Sequence, residues 1–478
     1  MIKDALKNEN NGLRLRPAHT FLNGKGVCVF FYDIERTLII EVPENIRVDI
    51  NSALGGGKMT ASAAKWLIEE DMLTASKPVT RAQGAKPYLP AVTDISLDIS
   101  GDCNLQCNYC FEKDIKSRTG PMSEDTMLIA LDFIFKESMD AEAITLHFGS
   151  GEPLLNFKLL KKIVKEAGER AKRLGKNISY DLTTNATLVD NEAQAFFRDN
   201  PFNIRVSCDG PERIHDKFRI GRFEAGTYSK TERGIKLLLA VMPERLAVNT
   251  VVSSGTRLTD LWKWAKEMGL RHYLTIKVGG TLETGGAPAG KKELDYYRED
   301  LAFICADILD DLKAGCPVVD YQPVTKIIRR LMLPYPVTRF CGVAGTYLGV
   351  ASNGDIYPCF RHLGLNGYGL GNVSKGADND KRQVYLGREA ADVDTRKGCR
   401  ECWARYLCGG ACYADTVVYG KDKLMPYSPH CDFWRVEISA AIKLYYEILQ
   451  TDPSYCLTLL GFDKNNFPGL QVSGTTGC

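Results

Sequence analysis

The run GDCNLQCNYCFEKD, residues 101–114, decides the reading of this chain. It carries Cys103, Cys107 and Cys110 in the pattern C-x3-C-x2-C. That spacing sets three thiolates on one short loop, where they can hold three irons of a cubane cluster and leave the fourth without a protein ligand. An open iron marks chemistry rather than plain electron storage. Structural zinc would close with a fourth Cys or His, and the nearest downstream histidine is His147. Zinc therefore fits this loop poorly.

The loop lies within an alternation of strand and helix. VTDISLDIS (92–100) reads as a buried strand running directly into it. Ser123 and Asp125 precede the periodic apolar run TMLIALDFIFKES, a helix start and body. AITLHFG (143–149) reads as a strand, and NFKLLKKIVKEAGERAKRL as a basic amphipathic helix. The strands continue through 178–185, 203–210, 246–252 and 271–278, with helices near 190–198, 229–241 and 257–268 between them. Six such repeats predict an α/β fold on a parallel sheet.

The cysteine loop, with Tyr109 just before its last cysteine, resembles the signature of the radical SAM superfamily. The resemblance implies an open, TIM-like partial (β/α)6 barrel with its active site at the C-terminal strand ends. It also implies that the open iron chelates the amino and carboxylate groups of S-adenosylmethionine (SAM), whose reductive cleavage yields a 5′-deoxyadenosyl radical. Residues at the expected strand ends fit that pattern. Gly149, Ser150, Gly151, Glu152 and Pro153 look like the family's GGEP motif, with Ser150 in place of the second glycine. The substitution questions whether the backbone there can adopt a positive φ or approach a ligand closely. Thr184 and Asn185 end the third strand. Ser207 and Arg219 would contact the methionine carboxylate, and Asp209 would fix the loop or the ribose. His147 and His215 read as capped or buried polar groups.

Composition narrows the setting. The chain has 478 residues, 16 of them cysteine, 25% charged, with a net charge of +2. The charge balance supports no nucleic-acid or polybasic membrane role. No stretch reaches about 18 apolar residues and no signal-like apolar segment opens the sequence, so a cytoplasmic protein is expected. Clustered cysteines in a reducing compartment are more often metal ligands than disulfides.

A second cysteine group spans Cys341, Cys359, Cys399, Cys402, Cys408, Cys412 and Cys431, written C-x12-G-x4-C, a gap, then C-x2-C-x5-C-x3-C-x18-C, with Gly354 before Cys359. Paired zinc knuckles are the bland alternative. The order and spacing resemble the SPASM domains of the same superfamily, which hold two auxiliary [4Fe–4S] clusters. By that likeness Cys399, Cys402, Cys408 and Cys431 close an outer cluster. Cys341, Cys359 and Cys412 hold an inner one with only three ligands, open to a substrate thiolate, water or a scattered cysteine. Three [4Fe–4S] clusters and SAM are the implied cofactors. Cys28, Cys208, Cys305, Cys316, Cys456 and Cys478 stand alone in the sequence and read as small buried hydrophobes.

Further texture, GDIYPC and CRECWARYLCGGACYAD, resembles maturases that join a Cys sulfur to an unactivated carbon, the ranthipeptide and sactipeptide enzymes and the quinohemoprotein amine dehydrogenase maturase among them. Anaerobic sulfatase maturases share the architecture, but carry an aspartate base where this chain has Phe360. Asp415 is the nearest acidic candidate for a general base. The Gly-rich stretch 279–290 lacks a phosphate-loop pattern and reads as a flap or a connector.

The expected organisation is a small α+β domain over 1–90, a barrel over 91–315, a Cys-rich SPASM domain over 316–436, and a C-terminal helix and tail over 437–478. The first contains a hairpin within residues 20–45 and one helix, 60–75, capped by Thr60 or Ser62. Its layout is similar to leader-recognition domains that add a peptide strand to a sheet edge. The expected partners are a precursor peptide with a leader and an electron donor such as flavodoxin or ferredoxin, with no nucleic acid and no membrane. The rival readings are formylglycine formation, another peptide modification such as a C–C cross-link, and a non-catalytic iron–sulfur protein.

Overall fold

A computed structural model describes residues 14–462 except 17, 24, 25, 55–59, 75–88, 113–119, 222, 224, 254, 278–290, 333–335, 388–391, 421 and 423. The Gly-rich stretch 279–290 and Cys478 lie outside the described residues. Among those described, no helix is long and apolar enough to cross a membrane.

The strands in chain order are β1 (Arg14–Leu15), β2 (Ala18–Leu22), β3 (Cys28–Asp33), β4 (Leu38–Glu41), β5 (Leu73–Thr74), β6 (Asp94–Leu97), β7 (Ala143–Phe148), β8 (Asn177–Thr184), β9 (Phe202–Ser207), β10 (Leu246–Val252), β11 (His272–Lys277), β12 (Asp320–Tyr321), β13 (Tyr347–Val350), β14 (Asp355–Tyr357), β15 (Gly371–Asn372) and β16 (Gly376–Ala377). β6 to β12 pair in sequence order, each parallel to the next, as the alternation of strand and helix predicts. The fold is α/β, with a parallel sheet consistent with a radical SAM partial barrel.

Local chemistry sets the elements. Ser123 caps the helix Glu124–Glu137 by accepting from the Thr126 amide at 3.1 Å, and Asp190 caps Asn191–Asp199 at Ala193, 2.9 Å. The helix Phe157–Arg173 buries Leu159, Leu160, Ile163, Val164, Ala167 and Ala171 on one face. β8 and β9 alternate, with Tyr180, Leu182, Phe202, Ile204 and Val206 packed beneath the helices. Phe202 meets Phe148, Tyr180, Phe196 and Phe197 with ring centroids 5.0–6.4 Å apart. The opposite strand face is polar: His147 lies 2.9 Å from Asp94 and 3.3 Å from Asp181, which accepts from Asn203 at 3.1 Å. Burial works against charge on His147, but the two carboxylates outweigh it and raise its pKa.

Several features depart from the sequence reading. A seventh strand, β12, joins the six, and β13 pairs in parallel with the free edge of β6, Tyr347 opposite Asp94 and Val350 opposite Leu97. β14, β15 and β16 extend that side antiparallel, so one eleven-stranded sheet crosses the expected boundary at 315/316. Gly354, at φ +86°, makes the turn from β13 to β14. The helix Ser428–Thr451 runs through the expected boundary at 436/437 and carries Cys431 in its first turn. It packs along the helix Lys291–Ala314, where the Tyr297 hydroxyl donates to Glu437 at 2.6 Å.

The N-terminal sheet has three strands, β2-β3-β4, not only the expected hairpin. Asp33 accepts from the amides of Glu35 and Arg36 at 2.9 and 3.0 Å and fixes the turn between β3 and β4. The helix expected over 60–75 is Ala61–Glu69, capped by Thr60; Asp71 takes φ +54° and Leu73–Thr74 leaves to pair with β1. Phe30 stacks on Tyr446 at 4.5 Å and His19 on Trp403 at 3.9 Å, joining this sheet to the C-terminal part of the chain.

Phe202→Ala should cost about 3–5 kcal/mol by leaving a cavity among the four rings. Urea denaturation followed by circular dichroism checks this, and an effect below about 1 kcal/mol would contradict the packing.

Candidate active site at the strand ends

The cysteine loop leaves the end of β6 at the mouth of the barrel. Its backbone is tied down by Gln106 N–H to the Ile220 carbonyl, 2.8 Å, and Asn108 N–H to that of Phe218, 3.0 Å. Cys103, Cys107 and Cys110 are all half-buried. Burial pushes Cys103 up to about 12 and Cys107 to about 11, and the neighbouring thiols add to both. Cys103 and Cys107 thus resist ionisation until a cation or cluster repays the charge. The triad therefore fits a cluster.

Asp209 anchors the loop from the end of β9. It is fully buried; one carboxylate oxygen accepts from the Tyr109 hydroxyl, while the other accepts from Val251 N–H at 2.9 Å and meets Arg219 Nε at 3.0 Å. The Arg219 guanidinium sits 5.4 Å from the Tyr109 ring centre. His215 is a satisfied core histidine. Its Nδ1 accepts from Asp209 N–H at 3.3 Å, so Nε2 donates to Thr227 Oγ1 at 3.1 Å, and that hydroxyl donates to the Arg219 carbonyl at 2.6 Å. Burial pushes its pKa down to about 4. Ser207 is half-buried, level with Asn249 of β10.

Glu152 organises the next two strand ends. It accepts from Thr184 Oγ1 at 2.7 Å, Asn185 N–H at 2.8 Å and Leu154 N–H at 3.1 Å. Burial raises its pKa to about 7 against the pull of those three donors. The positive φ in this motif falls at Gly151, +60°, not at Ser150. The positive φ thus falls on a residue that is glycine, and Ser150 takes none. A Cβ at Gly151 would stand 2.2 Å from the Asp102 carbonyl oxygen, so only glycine fits against the cysteine loop. Gly149 precedes this pair at the end of β7, and the Ser150 hydroxyl is buried with no protein partner.

Sequence reading misses several residues here. Glu112 accepts from Gly151 N–H at 2.9 Å. Asn104 donates to Thr187 Oγ1 at 2.9 Å and accepts from Asn185 Nδ2 at 2.8 Å, which ties the cysteine loop to the end of β8. Asparagine inside a C-x3-C spacer is the available signal, but nothing in the sequence names its partner.

The second cysteine group divides in two. Cys399, Cys402, Cys408 and Cys431 ring one small cavity with Trp434 and Arg435. Burial, then the neighbouring thiols, raises Cys431 to about 12. Cys341, Cys359 and Cys412 form the other set: burial raises Cys359 and lifts Cys412 to about 12, with mutual repulsion adding to each. Among the described residues no three Cys, His, Asp or Glu side chains close on a single-ion site. Four of the scattered cysteines, Cys28, Cys208, Cys305 and Cys456, are buried in apolar cores, whereas Cys316 is exposed, contrary to the expectation of burial.

Beside the three-thiol set, Arg361 ion-pairs with Asp415 and donates to Cys412 Sγ at 3.5 Å. Its guanidinium lies 4.9 Å from the ring centre of Phe111, the residue after Cys110, and Phe111 meets Phe360 edge-on at 6.0 Å. His430 Nδ1 lies 3.0 Å from the second oxygen of Asp415. Despite burial, Arg361 and His430 hold the Asp415 pKa down at about 2. A carboxylate with both oxygens occupied and so low a pKa is a weak proton acceptor, which weighs against Asp415 as a general base.

A profile of the Radical SAM superfamily matches residues 97–271. The chain is 29% identical over 332 residues to a cysteine-type anaerobic sulfatase-maturating enzyme of Clostridium novyi, covering 66% of this chain and 85% of that enzyme. It is 26% identical to a serine-type counterpart from Bacteroides thetaiotaomicron, over 70% of this chain and 85% of that one. Among solved structures, native anSMEcpe with bound AdoMet aligns at TM-score 0.61 and 20% identity, over 74% of this chain and 100% of its own. Streptococcus suis SuiB bound to the precursor peptide SuiA aligns at 0.50 and 14%, over 87% and 97%. With the triad at the end of β6 and the strand-end polar groups turned toward it, residues 97–271 form a radical SAM domain, and the chain that carries it is an enzyme.

Proposed function

We propose that this enzyme modifies a ribosomally made peptide, joining a Cys sulfur to an unactivated carbon as a thioether. The observation that carries the reading is the environment of the three-thiol set. Phe360 stands directly after Cys359, its ring against Phe111, and Asp415 is held by Arg361 and His430. Neither Phe360 nor the paired Asp415 thus offers a ready carboxylate base there. A set of three thiolates suits an inner cluster that takes a substrate sulfur as its last ligand, a soft donor that iron–sulfur clusters accept.

With clusters and SAM bound, the cofactors would supply a 5′-deoxyadenosyl radical able to take hydrogen from an unreactive carbon. Cys103, Cys107 and Cys110 would hold the SAM-binding [4Fe–4S] cluster, Cys399, Cys402, Cys408 and Cys431 the outer auxiliary one, and Cys341, Cys359 and Cys412 the inner. The backbone of Gly149, Ser150 and Gly151, with Ser207 and Arg219, would orient the methionine end of SAM. Thr184, Asn185, Tyr109 and Asp209 keep that mouth in shape. The peptide loses two hydrogens in all: one leaves as an atom on 5′-deoxyadenosine, the other as the thiol proton, with one electron handed on.

The N-terminal sheet would receive the leader of the precursor peptide. Its two edges are β2 and β4, and a groove of about 580 Å³ beside β2, lined by His19, Phe21, Arg298, Trp403 and Lys443, would give the leader a track. A flavodoxin or ferredoxin would supply the reducing electron. The second reading, oxidation of a Cys or Ser to formylglycine, has the sulfatase-maturating relatives in its favour and Phe360 against it.

Protein reconstituted anaerobically with iron and sulfide should bind about twelve irons per chain, by four per cluster. With dithionite it should convert SAM to 5′-deoxyadenosine, and Cys107→Ala should abolish this. Mass spectrometry of the partner peptide should show two hydrogens lost per cross-link and one thiol closed to alkylation. Formylglycine in its place would overturn the thioether reading. Gly151→Ala should weaken SAM binding at least about tenfold, roughly 1.4 kcal/mol by calorimetry, because the cysteine loop must move away from the added methyl.

A further inference from the structure

His362 serves neither the thiol triad nor the expected ligand sets, yet it is completely buried beside one of them. It ends the one-turn 3-10 helix Phe360–His362, and its backbone N–H donates to the Cys359 carbonyl at 3.0 Å. The ring is thereby folded back over Cys359. Nδ1 stands 3.0 Å from Cys359 Sγ, and Nε2 lies 3.0 Å from the hydroxyl of Tyr385 on the helix Asn379–Gly387. Tyr368 and Tyr385 wall the ring at centroid distances of 5.3 and 5.5 Å.

These contacts dictate the proton positions. A sulfur bound to iron carries no proton and can only accept, so Nδ1 has to be the N–H. Nε2 is then the acceptor, and the Tyr385 hydroxyl donates to it, fixing the tautomer. The ring is sealed from bulk solvent, which therefore does not compete for either nitrogen. Arg361 Nη1, 3.5 Å from Cys412 Sγ, gives the same ligand set a second donor, this one cationic.

We propose that His362 is a positioning residue that donates a hydrogen bond to the Cys359 sulfur, held in that tautomer by Tyr385, and so raises the reduction potential of the inner auxiliary cluster. The proposal rests on the reading that Cys341, Cys359 and Cys412 hold such a cluster. A donor to a ligating sulfur draws charge from it and favours the reduced state, one of the levers by which proteins set these potentials. A raised potential suits the inner site to accept the electron released when the sulfur–carbon bond forms.

The test is a redox titration of the reconstituted full-length enzyme followed by electron paramagnetic resonance. His362→Phe should move one midpoint to a more negative potential and leave the others in place. Tyr385→Phe should move the same midpoint in the same direction by less, and His362→Gln, which restores an N–H donor, should recover part of the shift. Unmoved midpoints in both His362→Phe and Tyr385→Phe at full iron content would overturn the proposal. So would loss of about four irons from His362→Phe, which would make His362 a ligand. If His362→Phe fails to fold, the Tyr385→Phe titration decides alone. The underlying reading is tested separately: Cys359→Ala with wild-type iron content would refute the inner cluster itself.

Discussion

Asp209 holds three segments far apart in sequence with a single carboxylate. It receives the Tyr109 hydroxyl from the cysteine loop, Arg219 from the segment after the helix Glu212–Phe218, and an amide from β10. Desolvating a carboxylate costs several kcal/mol unless partners replace the lost water, and here a cation and two neutral donors do so. The same arrangement fixes the direction of Arg219, which lies beside the Tyr109 ring, and with it the mouth of the barrel. Glu152 repeats the device at the neighbouring strand ends with neutral donors alone, which is why burial leaves its pKa raised.

Ten cysteines gather in three sets, and most are costly to ionise because they are buried and close together. That cost is the chemical meaning of the arrangement. Under the proposed reading, thiols packed this way would gain from binding iron what they lose from burial, which would couple the folded state to cofactor occupancy. The three-thiol set also touches the barrel's own loop, since Phe111 meets both Phe360 and the Arg361 guanidinium. The loop of Cys103, Cys107 and Cys110 and the segment after Cys359 thus share a wall.

Much of this is legible in the sequence because it is periodic or locally spaced. The strands β7 to β11 and the helices between them follow from alternation, and the ten cysteines from intervals in the chain. Leu73–Thr74 reads from sequence as the end of a helix, because the reversal at Asp71 depends on a left-handed backbone and on Arg16 reaching its carbonyl at 2.7 Å. β13 leaves no local signal of its pairing, since its partner lies about 250 residues earlier. Glu112, Asn104, Arg361 and His362 escape notice for a related reason. Each is a single polar residue whose significance lies in a partner, and a partner across space leaves no periodic trace. Asp415 shows the converse: it is conspicuous as a carboxylate near cysteines, and only its contacts with Arg361 and His430 reveal it as an anchor.

The pairing of β6 with β13 has a bearing on how the molecule is made. During synthesis β6 leaves the ribosome about 250 residues ahead of the strand that will cover its outer edge. For that whole interval the nascent sheet presents an unsatisfied border beside three empty thiols, a template for wrong pairing and a target for oxidants. Closing the border brings the later cysteines up against the earlier loop, so a chain interrupted before residue 347 lacks both its edge and six of the seven later sulfurs. Translation order thus brings most of the second cysteine group into place only after the parallel strands β6 to β12 have been made.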